Sequence, residues 1–76
     1  SVYPNPVKNI FTVKLGGVVE KNTKVSVYNM TGKLVFNAIM NANQLAVDTE
    51  NWSNGIYQIR IEGANQVNSE KIIIQH

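Results

Sequence analysis

Cysteine is absent from the 76-residue sequence, which excludes a disulfide framework, a thiolate metal site and a cysteine nucleophile. The absence does not decide the compartment, because β-sheet domains without disulfides occur both in secreted proteins and in the cytosol. Histidine occurs once, as the last residue, His76, where we expect the chain to fray. A nucleophilic triad needs a base held in a fixed position. We therefore predict that the chain is not an enzyme and has no catalytic residues.

Acidic residues are few as well, and they do not converge. Asp48 and Glu50 flank a predicted turn, while the other acids fall at strand ends or on exposed faces, so no pair is suited to general acid and base catalysis. The segment Asp48-Thr49-Glu50-Asn51 is a weak calcium candidate that is better explained as a solvated loop. Gly16-Gly17 lacks the following helix and the lysine of a phosphate-binding loop. We predict no metal ion and no cofactor.

Long hydrophobic runs and clusters of one charge are also missing. The longest apolar stretches contain three residues, as in Ile72–Ile74, whereas about 20 are needed to cross a bilayer. The basic residues are spread along the chain, and binding to nucleic acid needs them clustered. These residues are Lys8, Lys14, Lys21, Lys24, Lys33, Arg60 and Lys71. We expect no transmembrane segment and no nucleic-acid partner.

The length allows one domain, residues 1–76, because a second core could not be built from so short a chain. Its first residue is Ser1 rather than methionine. We therefore expect the sequence to be a piece of a longer protein, with any export signal on the missing part.

What the chain does contain is alternation of apolar and polar residues with a period of two, which predicts short strands. The predicted strands are Phe11–Leu15, Lys24–Val27, Lys33–Met40, Gln44–Asp48, Ile56–Glu62 and Val67–Gln75. In the fifth, Tyr57, Ile59 and Ile61 should face the core. The run Ile72–Ile74 in the last strand predicts burial on both faces.

Glycine and asparagine separate these strands. Gly16-Gly17 and Glu20-Lys21-Asn22 supply one predicted turn, and Asn29–Gly32 predicts a tight hairpin that pairs the second and third strands antiparallel. Short strands at a spacing near ten residues predict an all-β fold, an immunoglobulin-like antiparallel β-sandwich of about seven short strands.

Four sequence features stand in a recognisable order along the chain. Tyr3-Pro4-Asn5-Pro6 lies within a Pro-containing segment 1–6, where the two prolines remove two amide donors and favour an extended backbone. The second feature is Val27–Val35, in which a strand is followed by a glycine turn, a basic residue and another strand. The third feature consists of Leu45–Asp48 and, after a loop, Asn54–Ile61, and Glu70–Ile74 is the fourth.

This order closely resembles the type A C-terminal sorting domain of cargo proteins for the type IX secretion system of Gram-negative bacteria, over essentially the whole chain. The resemblance implies a seven-stranded immunoglobulin-like domain fused to the C-terminal side of a cargo. It implies export to the periplasm and recognition by outer-membrane translocation and shuttle proteins, which bring the cargo to the cell surface or the medium. A sortase then cuts near the N-terminal edge of the domain, around Ser1 and Val2.

The resemblance also implies where partners bind. Recognition elements of the family fall on the last strand and on the glycine turns. The candidates carried over to this chain are Lys71, Ile72, Ile73, Ile74 and Gln75, followed by Gly32, Lys33, Gly55 and Tyr57. For the glycines, Tyr57 and the isoleucines, turn geometry or burial is the stronger explanation. If the last strand lies at a sheet edge, its unpaired amides could add a partner's strand or make the domain dimerise.

One other reading is an accessory β-sandwich of an extracellular enzyme, which would bind polysaccharide or act as a spacer. Trp52 and Tyr57 raise this question because aromatic faces stack on sugar rings. A single tryptophan is better explained as a cover over one open end of the sandwich. Only the sorting domain accounts for the order of the four sequence features.

Overall fold

Seven β-strands make up the regular structure of residues 2–16 and 22–76, which are the residues that the computed structural model describes. The strands are β1 Val2–Tyr3, β2 Ile10–Lys14, β3 Thr23–Tyr28, β4 Leu34–Met40, β5 Gln44–Asp48, β6 Gly55–Glu62 and β7 Val67–Ile74. They form two antiparallel sheets, with the strand orders β1-β2-β5 and β4-β3-β6-β7. No helix occurs in these ranges. The predicted all-β class with seven short strands is confirmed, and the two sheets are compatible with an immunoglobulin-like sandwich.

The core is one layer of apolar side chains between the two sheets. In β6 the predicted alternation is confirmed, since Tyr57, Ile59 and Ile61 are buried while Arg60 is exposed. The other buried apolar residues are Val7, Phe11, Val13, Val25, Val27, Met40, Val47, Ile72 and Ile74. Every strand of the two sheets except β1 contributes at least one of these residues. The sandwich therefore depends on side chains from nearly the whole chain.

The hairpin between β3 and β4 has the predicted antiparallel pairing, with Thr23 opposite Met40. Its loop is organised by the Asn29 side chain, whose Oδ1 accepts hydrogen bonds from the backbone N–H of Thr31 at 3.1 Å and of Lys33 at 2.9 Å. Gly32 has a φ of 85°, a conformation that costs a glycine little and other residues more. The glycine of this predicted turn is therefore explained by backbone geometry.

The predicted turn at Gly16-Gly17 and Glu20-Lys21-Asn22 can be compared only in part, because 17–21 lie outside the described residues. Asn22 has a φ of 63°, which asparagine tolerates better than most residues. β3 begins at the next residue, Thr23. Asn22 therefore ends this connection in a conformation typical of turns.

One strand was not predicted. β1 contains only Val2 and Tyr3, which pair with Val13 and Thr12 of β2. Two residues are too few to show a period of two, so the pattern gave no signal. The tyrosine that opens the proline segment (Tyr3-Pro4-Asn5-Pro6) is thus part of the three-stranded sheet.

The prediction that Ile72–Ile74 is buried on both faces is wrong. Ile72 and Ile74 are each 1% exposed, but Ile73 is 45% exposed. β7 is an edge strand, and the four-stranded sheet is packed on one face only. A continuous apolar run therefore does not prove burial on two sides.

The one-sided burial of β7 predicts that substitutions of Ile72 and Ile73 lower the free energy of unfolding by different amounts. Ile72→Ala removes core side-chain volume and should lower the free energy of unfolding by about 2–5 kcal/mol. Ile73→Ala removes a half-exposed side chain and should cost less than about 1 kcal/mol. Urea unfolding of both variants checks this, and equal costs would contradict the one-sided burial of β7.

Candidate recognition site

Several of the predicted recognition residues meet at one end of the four-stranded sheet. Gly55, at the start of β6, pairs with Ile74 near the end of the chain, and Tyr28 at the end of β3 pairs with Gln58 of β6. The hairpin loop with Gly32 and Lys33 leaves the sheet at this same end. We call this region the turn end of the sheet.

A shallow groove lies at the turn end. Its volume is about 240 Å³, and it is lined by residues 29–31 of the hairpin loop and 53–57 around the start of β6. Gly55 has a φ of 151°, which favours glycine over other residues. The exposed side chain of Met30 stands on one side of the groove and that of Ile56 on the other. The two glycine turns therefore border one surface feature.

Not all of the predicted residues are accessible. Ile72, Ile74 and Tyr57 are buried in the core. Tyr57 also donates a hydrogen bond from its hydroxyl to the backbone oxygen of Ser53 at 2.7 Å, which closes the loop before β6. The side chains that a partner could reach are therefore those of Lys71, Ile73, Gln75 and Lys33, all of which are exposed.

Trp52 is half-buried among three other rings. Its ring centroid lies 5.2 Å from that of Tyr57 and 6.2 Å from those of Phe11 and Phe36. These rings come from both sheets, so Trp52 covers the core where the two sheets come together. Such contacts stabilise each aromatic pair by about 0.5–1.5 kcal/mol beyond burial. This packing is what we expect of a tryptophan that covers one open end of the sandwich.

The last residue is held in place, contrary to the expectation that it frays. The backbone N–H of His76 donates to Asn54 Oδ1 at 2.9 Å, and its ring Nε2 lies 2.6 Å from the backbone oxygen of Trp52. The end of the chain is therefore attached to the loop before β6, beside the turn end.

The outer edge of β7 carries a second segment of the chain. Val7 pairs with Ile74 in a parallel bridge, in which Val7 N–H donates to the Ile73 oxygen at 2.7 Å and Gln75 N–H donates to the Val7 oxygen at 2.8 Å. Asn5 adds two side-chain bonds, since its Oδ1 accepts from Ile73 N–H at 3.1 Å and its Nδ2 donates to the Lys71 oxygen at 3.4 Å. Residues 5–7 therefore cover the edge of β7 from Lys71 to Gln75.

The outer face of the four-stranded sheet is open to solvent and carries mixed side chains. Its rows follow from the register: Ile39, Lys24, Glu62 and Val67 form one row, and Leu34, Tyr28, Gln58 and Lys71 form another. Beyond the second row, Ile56 stands opposite Ile73, and the two are 43% and 45% exposed. The turn end thus presents an apolar pair on the same face as the exposed side chain of Lys71.

The described part of the chain offers little for other chemistry. Asp48 Oδ1 accepts a hydrogen bond from Glu50 N–H at 2.9 Å, so this acidic loop forms a local turn. Within 2–16 and 22–76 there is no group of three or more histidine or acidic side chains that could hold a metal ion. These residues also contain no helix that could span a bilayer.

Comparison with known proteins gives one family. The profile described as the secretion system C-terminal sorting domain matches residues 1–75, nearly the whole chain. The chain belongs to this family. The sorting domain is accordingly a type IX secretion signal that implies a fused cargo and the type IX machinery, with the cell surface or the extracellular space as destination. No curated protein matches the sorting domain in the corresponding search.

Sequence reasoning missed the residues that hold this site together. Asn29 organises the hairpin loop, and Asn5 and Val7 bind the edge of β7. In the sequence, Asn5 is distinguished only by its place in the proline segment. Asparagine is frequent throughout this chain, and nothing in the sequence distinguishes an asparagine that bonds to a distant strand from one that is solvated.

The contacts of Asn5 predict a local change in amide exchange. Asn5→Ala removes the acceptor of Ile73 N–H and should make that amide exchange about tenfold faster, equivalent to about 1.4 kcal/mol. Gln75 N–H keeps its bond to Val7 and should stay protected. Hydrogen exchange followed by NMR measures both amides in one experiment.

Asn9→Ala is the matched control for this prediction, because Asn9 is exposed and its side chain makes no hydrogen bond to the described residues. It should leave Ile73 N–H unchanged. If Ile73 exchanges in the unmodified domain as fast as an unbonded amide, the attachment of residues 5–7 to β7 is wrong.

Proposed function

We propose that this non-catalytic domain carries its cargo from the periplasm across the outer membrane through the type IX machinery and is cut off afterwards. Membership in the sorting-domain family supports this function most directly, since the match extends over residues 1–75. The partners are the outer-membrane translocation and shuttle proteins and the sortase. The cut falls near the N-terminal edge of the domain, around Ser1 and Val2.

The recognition surface is the turn end of the four-stranded sheet together with the outer face of β7. Lys71 and Ile73 are exposed and lie on the same face of β7, two residues apart. Their neighbours Gln58 and Ile56 continue this surface across β6. A partner that contacts this surface covers exposed apolar area at Ile56 and Ile73, which favours binding, and meets a positive charge at Lys71.

Buried residues on the predicted list act indirectly. Ile72, Ile74 and Tyr57 hold β6 and β7 against the core, and Gly32 and Gly55 permit the two turns that border the groove. Substitutions there would change recognition by disturbing the fold. The accessible residues Lys33, Lys71, Ile73 and Gln75 are those whose substitution tests direct contact.

The test is export of a reporter that carries a cleavable periplasmic signal and residues 1–76 at its C-terminus. In a bacterium with a type IX system, we expect the reporter at the cell surface or in the medium, and we expect it to stay in the periplasm when the translocon is deleted. The double variant Lys71→Ala and Ile73→Ser should lower export at least about tenfold, which corresponds to about 1.4 kcal/mol of lost recognition.

The matched control is Lys24→Ala with Ile39→Ser. Lys24 and Ile39 are an exposed lysine and isoleucine that pair on the same outer face, near the opposite edge and the opposite end of the sheet. Export should be unaffected by this change. Retention of the unmodified fusion in the periplasm while the domain is folded would contradict the sorting function, and equal loss in both double variants would contradict the assigned surface.

A further inference from the structure

The peptide groups of β7 that point away from the sheet can be identified from their bonds. The N–H and the oxygen of Ile73 both bond to residues 5–7, so this peptide position faces outward. The pairing of β6 with β7 runs without interruption from Glu62 opposite Val67 to Gly55 opposite Ile74. Because successive residues of a strand point to opposite sides, the backbone groups of Val67, Ser69 and Lys71 face outward as well.

The outer edge of β7 is therefore divided into two parts. Residues 5–7 cover the part from the Lys71 oxygen to Gln75 N–H. In the other part, no residue of the described chain bonds to the outward N–H groups of Val67, Ser69 and Lys71. The side chains from Val67 to Lys71 are exposed without exception. We call this part the open edge.

The open edge is a regular free edge of the four-stranded sheet, the sheet that carries the proposed recognition surface. β1 has only two residues, and β5, which has five in one register, belongs to the other sheet. β4, the opposite edge of the four-stranded sheet, has a register shift opposite Val27 and Tyr28, and such irregularities hinder the addition of a strand. β7 has eight residues in one unbroken register. An incoming strand would find evenly spaced donors and acceptors along the open edge, which lies on the same strand as the proposed recognition residues Lys71 and Ile73.

We propose that an extended segment of the type IX machinery adds to the four-stranded sheet as a fifth strand along the open edge, Val67 to Lys71. This inference rests on the proposed function and names its mode of binding. Backbone hydrogen bonds supply the affinity in such complexes, so the partner need not match the side chains of the domain closely. Asn5, which bonds to the Lys71 oxygen, marks the point where the added strand must stop.

Recognition through backbone groups predicts that, at one position of the open edge, removal of the outward N–H lowers export more than removal of the side chain. Ser69→Pro deletes an outward N–H that makes no bond within the domain, and proline is tolerated at such positions of edge strands. The fold should be retained, as circular dichroism and protection of the Ile59 amide would show. Export of the reporter fusion should fall at least tenfold.

Ala42→Pro is the control, because Ala42 lies in the exposed loop between β4 and β5 and its N–H makes no backbone hydrogen bond to the described residues. It should be exported like the unmodified fusion. Ser69→Ala separates the hydroxyl from the amide: if it lowers export as much as Ser69→Pro, a side chain is recognised and strand addition is wrong.

Val67→Pro provides a second variant in case Ser69→Pro does not fold, since Val67 is the first residue of β7, where proline is also accepted. A folded proline variant that is exported as well as Ala42→Pro overturns the inference. Failure of the unmodified fusion to leave the periplasm would instead overturn the proposed function, and strand addition by this machinery with it.

Discussion

One layer of apolar side chains has to serve both sheets, and the rest of the structure follows from this constraint. A chain of this size buries only about 60% of its unfolded surface, so the layer needs contributions from almost every segment, including Val7, which lies outside the seven named strands. The outer face of the four-stranded sheet has no second layer to cover it. A partner must therefore bind on the surface, and the outer face, the edge of β7 and the groove at the turn end are the surfaces that the four-stranded sheet offers.

Much of the fold could be predicted from local patterns. The alternation around Tyr57, Ile59 and Ile61 marks one strand with its two faces, and the glycine at position 32 marks a hairpin because few other residues adopt its backbone conformation. These signals work because side-chain burial and turn geometry act within a few residues. They predict where the strands lie and which strands pair in a hairpin, and their number and spacing favour a β-sandwich fold.

Other features could not be predicted because they depend on contacts between distant parts of the chain. Val7 stands between Pro6 and Lys8 without any periodic pattern, yet it is fully buried. Ile73 resembles its neighbours in the sequence, but its exposure follows from the position of β7 in the sheet. The candidate site shows the same limit. Family resemblance suggested a set of residues, and only the register separates the accessible Lys71 from the buried Ile72.

The attachment of residues 5–7 to β7 has a mechanical consequence. A cargo joined ahead of Val2 would pull on β2 through β1, and then on the last strand through Asn5 and Val7. Tension from the cargo would thus reach the C-terminal strand through six residues of chain, without having to pass through the sheets between them. Under such tension, unfolding of the domain should begin where residues 5–7 bind β7.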